Sequence, residues 1–250
     1  MTRTPAYPEL LDLIDERAAA FREAAAAADP GARVPGCPDW NAGDLIAHLG
    51  EVHRFWAATV AAGPSGAPPS AEAIGDRTPH GELLTWSAES TRLLLGALRA
   101  ADPDEACWTW WGDSDAPMTV RAVARHQVQE AAVHAYDAQD AAGRPEPIPA
   151  AVAVDAVPEF LQVSLGSLGA WPHRPARIAL SAVEGPTWLL DLTLQGATAD
   201  PAPSGDPVAT IRASASDLLL VLFKRVGLEA VTVTGDPSAV DELLSWIDNE

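Results

Sequence analysis

Glu130 and His134 stand four residues apart in TVRAVARHQVQEAAVHAYDAQDAAG, the stretch from Thr119 to Gly143. On a helix, residues at this spacing project from one face, one turn above the other. A carboxylate and an imidazole so placed can grip one metal ion. The same pair on an alanine-rich helix also serves as an ordinary polar pair on a solvated face, so a metal site needs further ligands. His48 and His53 in VPGCPDWNAGDLIAHLGEVHRFWAATV are the other candidates, and His126 and Asp137 lie near the first pair.

The elements that must position these residues read as helices. Val120, Ala124, Val128, Ala131, Ala135, Ala138 and Ala142 recur as an apolar stripe bordered by Glu130 and His134. Gly143 and Pro145 end that helix. Asn41 is placed to cap an earlier helix, with Asp44 favouring the positive end of its dipole and Trp40 and Leu45 placed as a hydrophobic staple. Leu45, Leu49, Val52 and Trp56 form that helix's buried stripe. His48 and His53 flank it on opposite sides, and periodicity does not choose between them.

Two more helices are expected at 7–29 and 82–101, separated from their neighbours by Gly, Pro and Asp. Residues 63–80 read as a loop, and ACWTWWGDSDAP at 106–117 sets three tryptophans ahead of the helix that carries Glu130. Four helices before Gly143 predict an up-and-down four-helix bundle. The second half predicts a smaller α+β domain. A helix over 152–168 bent at Pro158 comes first, followed by a hairpin turning near Glu184, Gly185 and Pro186 and a strand in VATIRA. A helix opened by Ser214 and Asp217, a strand in AVTVTG and a last helix from Pro237 complete it. The expected domains are 1–146 and 149–250, with RPEPIP as the hinge.

Composition narrows the partners. Thirty-five acids against sixteen bases give a formal charge of -19, which repels phosphate backbones and anionic lipid surfaces on average. Neither nucleic acid nor a membrane is an expected partner. No apolar run approaches bilayer length, and the opening MTRTPAYPELLDLIDER has acids where a signal peptide needs an apolar core. A cytoplasmic location is expected, with Cys37 and Cys107 reduced.

The segments CPDWNAGDLIAHLGEVHRFW and RHQVQEAAVHAYDAQDA, in this order and spacing, resemble the two signature stretches of the mycothiol-dependent maleylpyruvate isomerase family. The resemblance implies a DinB-like metal-binding bundle followed by an α+β domain of sterol-carrier type. It assigns His48, rather than His53, to the metal with Glu130 and His134, and it points to Asp137 as the acid that follows the second ligand. Two imidazoles and a carboxylate leave a fourth tetrahedral position open, the pattern of a catalytic zinc, although nickel or iron would also suit the donors. The implied function is an enzyme that holds the mycothiol sulfur as thiolate and directs it at a small electrophilic molecule, as an isomerase or as an S-transferase. Asp137 and His126 are expected to support the ligands or relay a proton, and Arg212 or Arg225 to hold a substrate carboxylate. The competing readings are a metal-dependent hydrolase and a non-enzymatic small-molecule binding protein. The sequence carries no sign of oligomeric state.

Overall fold

The computed structural model describes residues 4–200 and 205–247. They form two compact units, one built from Pro5–Trp110 and Pro117–Glu146, the other from the chain from Pro147 onward together with Trp111–Ala116. The first unit is helical and the second is a mixed sheet with helices.

Four long helices make the first unit: α1 (Tyr7–Ala27), α2 (Ala42–Ala61), α4 (Leu83–Ala100) and α5 (Val120–Ala141), with the single turn α3 (Ala71–Ile74) in the long connection from α2 to α4. Asn41 starts α2 by a reciprocal capping box, its side chain accepting from Asp44 N–H while Asp44 accepts from Asn41 N–H, both at 3.0 Å. The end of α5 is equally definite. Gly143 takes the left-handed φ of 71° that glycine adopts without strain, Arg144 N–H donates to Gln139 O, and Gly143 N–H donates to Asp140 O. These bonds close a Schellman motif.

The four-helix bundle expected from periodicity is present, but its helices do not simply alternate in direction. Gly50 lies against Trp86, and Arg54 donates to Ser90 Oγ at 2.8 Å, so α2 and α4 run parallel. Arg121 lies over the Tyr7 ring, while Phe21 and Ala25 pack with Ala135 and Ala138, so α1 and α5 are parallel too. Tyr7 and Arg22 reach Leu98 and Thr91, which makes α1 antiparallel to α4. The order of directions is therefore up, down, down, up. The long connection over 62–82 makes this feasible, because a chain must travel the length of the bundle to start a parallel neighbour.

Between α1 and α2 the chain forms a small hairpin of β1 (Arg33–Val34) and β2 (Cys37–Asn41). The periodic reading missed it, since Pro38 and a two-residue first strand leave almost no alternating pattern. Its effect is to carry Cys37 and Trp40 to the N-terminal end of α2.

Gly50 is the tightest point of the α2–α4 packing. A Cβ there would fall 2.0 Å from the nearest ring atom of Trp86, a side chain only 1% exposed and unable to withdraw. Alanine normally gains up to about 1 kcal/mol over glycine inside a helix. Overpacking of a rigid core costs about 1–3 kcal/mol or more and wins here. Gly50→Ala is expected to lower the urea midpoint, and a variant as stable as the parent would contradict this packing.

The second unit opens with α6 (Ala150–Val163), which contains Pro158, and a 3₁₀ turn at Leu165–Ser167. Its sheet has the order β5-β4-β3-β6-β7, from β3 (Ala176–Ala182), β4 (Thr187–Thr193), β5 (Gly196–Asp200), β6 (Ala209–Ala213) and β7 (Thr232–Gly235). All neighbours are antiparallel except β3 and β6. The β3–β4 hairpin turns over 183–186 as its sequence predicts. Strand β5 was not foreseen, because the turn at Leu194 and Gln195 follows TWLLDLT without a polar break long enough to mark it. Helix α7 (Ala215–Leu222) is capped by Ser214, a 3₁₀ turn follows at Leu228–Ala230, and α8 (Pro237–Trp246) is capped by Asp236. Both α7 and α8 pack against β3 and β6. Among the described residues no helix is long and apolar enough to cross a membrane.

Candidate metal centre

The side chains of His48, Glu130 and His134 meet across the seam between α2 and α5. Nε2 of His48 and Nε2 of His134 each lie 3.3 Å from Oε1 of Glu130, and one donor atom from each of the three falls within 4.8 Å of the others. Among the described residues this is the one cluster of three or more His, Cys, Asp or Glu side chains close enough to share an ion. A tetrahedral zinc with bonds of about 2.0 Å places neighbouring donors roughly 3.3 Å apart. The two nitrogen-to-oxygen separations match that edge, and the donor set fits zinc chemistry.

The site is graded in exposure, with His48 a third exposed and His134 nearly enclosed. Burial alone would push the Glu130 carboxyl up, but His134 and His48 hold it well below the usual carboxylate range. Burial also works against a charged His134, yet Glu130 and Asp137 outweigh it and raise its pKa to about 9. The negative charge of the cluster thus attracts a proton, or a cation in its place.

Asp137 is 1% exposed and sits 2.9 Å from His134 Nδ1. As a carboxylate it accepts a hydrogen bond from Nδ1–H, which leaves Nε2 as the position where a proton shared with Glu130, or a metal ion in its place, is held. Cys37 approaches the same carboxylate oxygen at 3.9 Å, and its thiol is free of any disulfide. Replacing Asp137 by asparagine removes the charge that steadies this tautomer. Zinc affinity measured by chelator competition is expected to fall about 10–100-fold. Unchanged affinity would separate Asp137 from the metal site.

Trp40 gains a place that its sequence position as a staple did not disclose. Its ring centroid lies 4.5 Å from that of His48 and 6.3 Å from that of His134, and those two imidazoles meet edge to face at 5.0 Å. The indole therefore covers one side of both histidines. A tryptophan immediately before a cap whose helix carries a ligand two turns later was the available signal.

The other sequence candidates separate. His53 is fully buried, with Nδ1 3.2 Å from Thr91 Oγ1 and Nε2 without a hydrogen-bond partner. His126 lies one turn before Glu130 and stands between the rings of Trp56 and Trp110, at centroid distances of 6.2 and 5.7 Å. It is not one of the clustered donors. Arg212 and Arg225 belong to the second unit, where Arg212 donates to Ser181 Oγ at 3.3 Å and Arg225 to Phe223 O at 2.9 Å.

A bundle in which two helices distant in sequence bring His, Glu and His within 4.8 Å of one another defines a helical fold with a site able to hold a metal ion. Residues 11–139 match the family described as the mycothiol maleylpyruvate isomerase N-terminal domain, and the chain belongs to that family. Two solved structures have a similar fold: the crystal structure of the mycothiol-dependent maleylpyruvate isomerase, at 15% identity and TM-score 0.62, and that of a histidine-to-alanine mutant of it, at 16% and 0.63. Each alignment covers 92% of this chain and 93% of the other. Among curated proteins, none matches the sequence.

Proposed function

We propose that the chain is a metal-dependent enzyme that uses mycothiol, ionising its thiol at the His48, Glu130 and His134 site and directing the sulfur at an electrophilic carbon. The observation that carries this reading is the convergence of three donors from α2 and α5 within 4.8 Å of one another, the two histidine nitrogens each 3.3 Å from the Glu130 oxygen. Family membership supports it, since the related isomerase is named for its dependence on that thiol.

A divalent metal held there, zinc by the fit of the donors, supplies the positive charge that lets a thiol ionise at neutral pH. His48 and His134 would hold it through Nε2, and Glu130 would offset part of its charge. Asp137 keeps the His134 proton on Nδ1. Trp40 keeps water from one side of both imidazoles, which strengthens the field inside the site. Mycothiol, when bound, would supply a nucleophilic sulfur, released again in an isomerisation and kept in the product in a transfer.

In this proposal the bundle holds metal and thiol. The test is elemental analysis of the purified protein, followed by turnover of an electrophile with and without mycothiol. About one equivalent of metal and strictly thiol-dependent turnover support the proposal. Thiol-independent hydrolysis would point to a hydrolase, and a well-folded protein that takes up no metal would point to a binding module.

A further inference from the structure

Thr91, in the middle of α4, decides the state of a histidine on α2. Its hydroxyl donates its one proton to Ser87 O at 3.1 Å and accepts from Arg22 Nη1 at 3.0 Å. Toward His53 Nδ1, 3.2 Å away, it can then only accept, so Nδ1 carries the ring proton and Nε2 is a lone pair. His53 is fully buried, and Nε2 has no hydrogen-bond partner among the described residues.

Gln127 presents the complement on α5. It too is fully buried, and neither its amide nitrogen nor its carbonyl oxygen has a hydrogen-bond partner among the described residues. The pairs His48 with Glu130 and Trp56 with His126 fix the antiparallel register of α2 and α5, and on that register position 127 stands level with position 53. Seven residues, about two helical turns, separate Gln127 from His134, so both project from the face of α5 that meets α2.

Buried polar groups are almost always hydrogen-bonded, and three open atoms at one level of one seam call for a shared partner. Between them they ask for a guest that both donates and accepts. Arg22, held at the same threonine, disfavours a cation, and interior packing density leaves room only for a small molecule. We infer that the bundle core binds an ordered water molecule, which donates to His53 Nε2 and is held by the side-chain amide of Gln127. The site is separate from the donor cluster and does not depend on the proposed thiol chemistry.

A crystal structure of the full chain, at a resolution that orders interior waters, tests this directly. One water within about 3.2 Å of both His53 Nε2 and the Gln127 amide is expected. Finding those groups bonded to each other or to other side chains, with no water between them, overturns the inference. Urea unfolding of His53→Leu, Gln127→Leu and the double variant, at a pH where His53 is neutral folded and unfolded, supplies the energetic counterpart. Each single change strands one partner of the water, while the double change removes both. The unfolding equilibrium constant of the double variant is therefore expected to be about tenfold smaller than the product of the two single effects gives. Should Gln127→Leu not fold, Gln127→Met, unbranched and of similar length, takes its place in the cycle. Strictly multiplicative effects overturn the shared site.

Discussion

Replacing His48 by alanine, or Glu130 by glutamine, is expected to abolish zinc uptake and, with it, the proposed thiol-dependent turnover. Each substitution deletes one of three donors that stand 3.3 Å apart in pairs on the Glu130 oxygen. The two that remain lie on opposite helices or in one i, i+4 pair, and neither arrangement surrounds an ion. Zinc affinity is expected to drop on the order of a hundred- to a thousandfold, given the share of binding free energy one ligand carries in a protein zinc site. Glu130→Gln is the sharper variant, because it keeps the shape of the side chain and removes only the charge. Helix content should survive in both, as His48 is a third exposed and Glu130 about a fifth. Variants that retain a full equivalent of metal after dialysis would refute this assignment.

His53, five residues from His48, gives a different result when changed. Burial lowers its pKa to about 3, with Glu130 opposing and Arg22, His134 and His48 reinforcing the shift. A histidine kept neutral in the folded state and free to protonate near pH 6.5 when unfolded contributes stability that is fully present above pH 6.5. That contribution is lost as the pH falls toward 3. Between pH 6.5 and 4.5 the loss is on the order of 3 kcal/mol, at roughly 1.4 kcal/mol for each pH unit and proton. His53→Leu fills similar space and leaves Thr91 its bonds to Ser87 and Arg22. Urea unfolding across that pH range should show a shallower acid slope in the variant, by about one proton, with its metal content unchanged. Parallel slopes would mean that His53 titrates elsewhere.

The contrast between these two histidines shows where sequence reasoning ends. Both border one apolar stripe, and a helical wheel records only angle, not what faces each angle. His53 turns toward Thr91 on α4 and disappears into the core, while His48 turns toward α5. Only the resemblance to a family separated them in advance. Helix starts and ends were readable because they rest on local chemistry: Asn41 with Asp44, and Gly143 with its φ of 71°. Helix direction was not, because nothing in the residues of the 62–82 connection states which neighbour the chain joins next. Trp40 was visible as a capping-region residue, yet its contact with His48 and His134 depends on how the β1–β2 hairpin lies across the helix ends.

The order of helix directions has a further consequence. The bundle consists of two parallel pairs, α1 with α5 and α2 with α4, and the donor cluster straddles the line where one pair meets the other. An ion seated there would act as a rivet between halves that otherwise rely on side-chain packing and a few polar bonds. Its binding energy would then appear as mechanical cohesion of the bundle, and thermal resistance would climb with the logarithm of free zinc. A chelator should quicken amide exchange first along that junction, before either pair comes apart.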